Sequence, residues 1–169
     1  MSEASPPAET PPDLVLETVA FVRLSEGHVS SRGTAERLSY RRSAGSLLAS
    51  QAAVRLPPRP GSDLAALGML HLSAPRVEAD TAGHRATGSQ GVSFDSERGD
   101  RARTDRIFYD GAAQRVTSDT PLLAQGPGYR VRSHGFVARS DGSDVTLGGG
   151  VTGRLTQAVP AAKERRHAR

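Results

Sequence analysis

The chain is predicted to be all-β, a twisted open roll of stacked antiparallel hairpin repeats, and three observations lead there. Apolar residues fall on alternate positions in short runs, the period of a strand with one buried face. The runs are punctuated by Gly, Asp, Ser and Pro, the residues that make tight turns. One strand-turn-strand unit also recurs four times, and such repeats bury their apolar faces only by stacking.

Residues 1–13 hold Pro6-Pro7 and Pro11-Pro12 among Ser, Glu and Ala, and predict an extended linker without core-forming residues. The β domain is expected over 14–155. Its first stretch, Leu14 to Leu24, has apolar residues on both parities. That pattern fits a strand with a bulge, a strand buried on both faces, or one that pairs with another chain.

The repeats align on Tyr40, Ala79, Tyr109 and Ala138, with Leu38, Val77, Ile107 and Phe136 two residues earlier. Val54, Val92, Leu122 and Val151 close each unit 13 or 14 residues later. The turns between are Arg42 to Gly45, Asp80 to Gly83, Asp110 to Ala113 and Ser140 to Ser143. The Pro57 to Gly61 stretch reads as a loop inserted after the first unit, and Gly148-Gly149-Gly150 as a turn or bulge within the last. Residues 156–169 form a basic tail, Lys163 to Arg169, that carries most of the formal net charge of +4.

Alternation places one set of apolar side chains on the interior: Phe21, Leu38, Tyr40, Leu72, Val77, Phe94, Ile107, Tyr109, Tyr129, Val131, Phe136, Val145 and Leu147. With three Tyr, four Phe and no Trp, the interior is expected to be either a channel of modest side chains or a fully packed core.

Several classes of chemistry lack their signatures. There is no cysteine for a disulfide, thiolate site or nucleophile. His28, His71, His84, His134 and His167 are scattered without ligand spacing. No Gly-x-Ser-x-Gly elbow is present, and no Lys-Ser or Lys-Thr follows the glycine run. A non-enzymatic protein without cofactor or metal is expected. Arg23, Arg37, Arg55, Arg76, Arg130 and Arg132 flank apolar strand positions, where they read as an outer or rim face. Few aromatics interleave with them, so no nucleic-acid partner is expected.

The run from Ala102 to Leu122, with Ile107-Phe108-Tyr109-Asp110-Gly111 and Thr120-Pro121-Leu122, is followed by Gly126-Pro127-Gly128-Tyr129-Arg130-Val131 and Gly135-Phe136. This pattern resembles the OstA-like β-jellyroll repeat of the lipopolysaccharide-transport proteins, most of all the LptC-like family, over roughly 32 to 155. The resemblance implies a twisted open β-jellyroll in the periplasm, associated with the inner membrane. It implies an interior that carries the lipid A acyl chains of lipopolysaccharide. It also implies edge strands that pair with inner-membrane transporter subunits and with a periplasmic bridge jellyroll. Family members carry an N-terminal transmembrane helix and no such apolar run occurs here, so an anchor or lipoprotein signal missing from this chain is expected, the alternative being a soluble shuttle like the family's bridge component.

Overall fold

The computed structural model describes residues 11–58 and 60–156, with 63 and 64 as backbone only. Most of the expected linker and, apart from Thr156, the expected basic tail with His167 lie outside the described residues.

Among the described residues, twelve antiparallel strands make one open sheet. Six long ones come first: β1 Leu14–Ser25, β2 His28–Arg41, β3 Ser46–Leu56, β4 Leu70–Asp80, β5 Arg85–Ser96 and β6 Arg101–Asp110. A 3-10 helix, Asp63–Leu67, lies in the loop between β3 and β4. Three interrupted strands follow: β7 Arg115–Ser118 with β8 Leu122–Gly126, β9 Tyr129–Ser133 with β10 Gly135–Arg139, and β11 Val145–Gly148 with β12 Thr152–Leu155. β6 pairs with β7 through one end and β8 through the other. The order then continues β7-β10-β11 on one side and β8-β9-β12 on the other. The expected all-β roll of stacked antiparallel hairpins is therefore what the chain forms.

Several strands are interrupted near their middle. In β1, Thr18 has φ 55°, and in β3, Gln51 has φ 49°. Gln90 and Gly91 reach φ 69° and 100° in β5, where the register shifts against both neighbours. Pro121 stands between β7 and β8, and Gly149 and Gly150 at φ 70° and 86° between β11 and β12. These breaks line up across the sheet and divide it into two leaves.

The leaves fold together at this line. A Cβ on Gly88 would lie 3.4 Å from Val92 Cγ2, 3.5 Å from Ala74 Cβ and 3.2 Å from Ile107 Cγ1. A straight strand would separate positions 88 and 92 by about 13 Å. β5 must therefore bend sharply through 89–91, and Val92 turns back over Gly88, where an added Cβ would press on Ile107. Leaf 1 holds residues 14–17 of β1, 37–41 of β2 and their partners through β7, β10 and β11. Leaf 2 holds 19–25 of β1, 28–34 of β2 and their partners through β8, β9 and β12.

The core is the inside of the bend. Ala74, Val92, Ile107, Leu122 and Phe136 form a buried cluster, flanked by partly buried Leu72, Val77, Ala102, Val116, Ala138 and Leu147. Three hydroxyls share this interior where β6 passes from β7 to β8. Thr104 Oγ1 is 3.1 Å from Ser118 Oγ and 2.8 Å from Thr120 Oγ1, while Ser118 Oγ donates to the Arg106 carbonyl at 2.7 Å. Side chains thus take over backbone bonding that the broken ladder leaves unmade. Ser133 Oγ, fully buried, serves the Gly135 carbonyl in the same way at 2.9 Å.

The turns fall where expected, and Asp side chains stabilise them. Asp80 Oδ1 accepts from the Ala82 and Gly83 amides, Asp110 Oδ1 from Ala113 and Asp141 Oδ1 from Ser143, each at 3.0 Å. These amides hold the Asp110 and Asp141 carboxyls below the usual range. One alignment shifts: Val92 and Leu122 stand beside the bend, but Val54 lies one row farther out, because β3 crosses the bend in fewer residues, from Ala49 to Ala52.

Candidate functional site: an open apolar groove

Strand register converts the alternating sequence into rows that run across the sheet. In leaf 1, the row nearest the bend passes through Leu16, Leu38, Ala49, Val77, Gly88 and Ile107, and on to Phe136 and Leu147. The next row out runs Leu14, Tyr40, Leu47, Ala79, Ala86, then Tyr109, Val116, Ala138 and Val145, each facing the next across a strand pair. In leaf 2 the corresponding outer row runs Phe21, Gly33, Val54, Leu72, Phe94, then Ala102, Ala124, Val131 and Gly153.

All thirteen expected interior residues stand on this one side of the sheet. Leu38, Val77, Ile107, Phe136 and Leu147 occupy the row at the bend. Tyr40, Tyr109 and Val145 occupy the lip of leaf 1, and Phe21, Leu72, Phe94 and Val131 that of leaf 2. Tyr129 lies one step farther out on leaf 2, opposite Leu155. Register adds Leu14, Leu16, Leu47, Val54 and Val116, together with alanines at 79, 86, 102, 124 and 138. Small residues at alternate strands are the signal for them, since they leave troughs between the aromatics.

Burial falls from bend to lip. Val92 is 1% exposed and Ile107 8%, whereas Tyr40, Tyr109, Leu72, Phe94 and Val131 are half-buried and Phe21 is 40% exposed. The two lips do not close over each other along their length, so the interior is an apolar groove with a packed floor. Nine strands at about 4.8 Å spacing make it about 38 Å long.

Two of the interior aromatics have definite local partners. Phe21 lies flat over Gly33, its cross-strand neighbour, in the space a Cβ would need. Tyr129 covers Gly126 in the same manner, and its hydroxyl donates to Asp100 Oδ1 at 2.8 Å. Ser96 Oγ donates to the other oxygen of Asp100, also at 2.8 Å. Burial, followed by the neighbouring Asp100 carboxylate, pushes the Tyr129 hydroxyl up to about 12.

The arginines do not all face outward. Arg37, Arg55, Arg76, Arg130 and Arg132 are on the outer side, but Arg23 pairs with Ser31 and shares the face of Phe21. The parity change at Thr18 puts it there. Among the described residues no group of three or more His, Asp or Glu side chains is placed to hold a metal ion.

The two ends of the groove are sheet edges. β1 is twelve residues long and carries exposed Leu14, Val15, Leu16, Phe21, Val22 and Leu24 on both its faces. At the other end, β11 and β12 are four residues each, with Val145 56% and Leu155 82% exposed. No helix among the described residues is long and apolar enough to cross a membrane.

No protein-family model matches the chain. No curated protein matches it. Among solved structures, the chain is similar to LptH from Pseudomonas aeruginosa, described as the LptA-homologous periplasmic component of the conserved lipopolysaccharide transport device. The match has 16% sequence identity and a TM-score of 0.48, and covers 71% of this chain and 82% of that one.

Proposed function

We propose that this chain is a non-enzymatic periplasmic component of lipopolysaccharide transport, of the LptC-like type, that holds acyl chains in its groove. One observation carries the proposal: two rows of apolar, partly exposed side chains, one on each leaf and broken only at Gly33 and Gly153, run above a packed floor from one open sheet edge to the other. A hydrocarbon chain laid along them gains about 0.8 kcal/mol for each methylene removed from water. No pocket end is required, so a chain can slide from strand to strand.

The edges supply the second half of the role. An edge strand with unpaired backbone groups accepts another strand, and its exposed apolar residues are then covered. β1 is the longer and more apolar edge, and we assign it to an inner-membrane transporter subunit. The short edge of β11 and β12 is left for a bridge jellyroll that continues the groove. Such a role places the chain at the periplasmic side of the inner membrane, held there by its partners or by an attached anchor.

Photo-crosslinking from Tyr109, on the half-exposed lip, tests the lipid assignment in cells with active transport. Adducts to lipopolysaccharide are expected from Tyr109 and not from Thr117, which faces the other side of the sheet. Absence of adducts from Tyr109 would leave a structural module that assembles through its edges.

A further inference from the structure

We propose that the outer face of leaf 2 is a docking surface for an anionic lipid bilayer. Strand register lines up Arg32, Arg55, Arg101, Arg130 and Arg154 in a single row across that face. Arg103 and Arg132 stand in the adjacent row, on either side of Leu123. All seven arginines are exposed. The one carboxylate in these rows is Asp95, and Arg101 pairs with it at 3.4 Å. The other acids of leaf 2 are placed elsewhere: Glu26 and Glu97 in turns at its far end, Asp100 against Tyr129 on the groove side, and Glu36 and Asp105 at the bend.

Leaf 1 shows that this is a property of one face and not of the chain. There Arg37 is 3.8 Å from Glu17, Arg85 3.9 Å from Asp110, Arg106 3.9 Å from Asp119 and Arg139 3.7 Å from Asp141. Arg76 likewise pairs with Glu78. Leaf 1 sets Arg115 opposite Arg139, but Asp110 and Asp141 flank that pair, whereas on leaf 2 Arg32 stands directly opposite Arg55, and Arg130 directly opposite Arg154, with no acidic cross-strand neighbour. Like charges opposite each other repel, and an anionic partner relieves that repulsion.

The form of the face selects a membrane. The arginine row crosses eight strands, about 34 Å, so a single anion meets only a fraction of it while a headgroup layer meets the whole. Between the arginines stand short residues such as Thr34, Ala53, Ser73 and Ser93, which leave the guanidinium groups foremost. No Tyr, Trp or Phe occupies these rows, where His71 is the one ring, although protein interfaces are enriched in Tyr, Trp and Phe at their centres and single-stranded nucleic acid stacks on aromatics.

The full chain should float with vesicles that contain one-third phosphatidylglycerol in phosphatidylcholine, remain behind with pure phosphatidylcholine, and be released by salt. Arg32→Gln, Arg55→Gln, Arg130→Gln and Arg154→Gln combined should weaken binding at least about tenfold. Arg37→Gln, Arg76→Gln, Arg106→Gln and Arg139→Gln remove the same charge from leaf 1 and should change it less than about twofold. Unfolding curves of both variants check that the fold is kept. Equal weakening by both sets, binding that salt does not reverse, or retention on polyglutamate without vesicle binding would overturn the proposal, the last in favour of an acidic protein. The groove opens on the opposite side of leaf 2, so crosslinking from Tyr109 and vesicle binding can fail independently.

Discussion

The ring of Phe21 takes the place of the side chain that Gly33 lacks. The two residues are cross-strand partners in β1 and β2, at the groove end nearest the longer edge. Gly33 is buried although its neighbours on β2 are exposed, because the ring covers its backbone.

Gly33→Ala should therefore displace the ring and cost about 1–3 kcal/mol of stability. Gly148, whose added Cβ would meet nothing within 4 Å, is the control. Gly148→Ala should change stability by less than about 0.5 kcal/mol. Urea unfolding of the three proteins measures both values.

The hydroxyl cluster at the fork of β6 carries a second expectation. Ser118→Ala deprives the Arg106 carbonyl and Thr104 of a partner inside the core, and should cost about 1–3 kcal/mol. Combined with Thr104→Val, the loss should be smaller than the sum of the two single losses, since both belong to one network. A double-mutant cycle in denaturant decides it.

Alternation made the interior face legible: thirteen residues scattered from Phe21 to Leu147 share one side because strands with a period of two obey it faithfully within each leaf. The bend was legible only at its two ends, where a bulge within Leu14 to Leu24 and a turn or bulge at Gly148-Gly149-Gly150 are among the expectations. Between them it is made by Gln51 and Gln90 in the left-handed region, residue types that do not announce turns, and the parity change at the bend misplaced Arg23 and Val54. The charge asymmetry between leaves was hidden for the same reason. Arg37 and Arg55 look alike in sequence, and only the position of the bend assigns one to a balanced face and the other to a basic one.

Tyr129 gives the stability a defined alkaline limit. Its hydroxyl is raised to about 12 in the folded chain, against an ordinary value near 10. Stability from this group is fully present below about pH 10 and is lost as pH rises toward about 12. The wild-type melting temperature should fall across that window. Tyr129→Phe should show a lower melting temperature at neutral pH and a shallower fall above pH 10, measured by calorimetry against pH.

Lysine at Val22 and Leu24, which are 57% and 65% exposed, tests the β1 edge. Stability should change by less than about 0.5 kcal/mol, because the described residues leave these side chains mostly exposed. Association with the proposed inner-membrane partner should be lost, as charged edges resist strand addition. Retained association, read by crosslinking in membranes, would move docking to the other edge.

The groove itself is tested most directly by spin labels placed singly along β6 at 102, 106, 108 and 109. Addition of lipopolysaccharide should immobilise the labels at 102 and 109, which face the groove, and leave those at 106 and 108 unchanged. A uniform response along the strand, or one confined to 106 and 108, would contradict an acyl-chain groove between the two leaves.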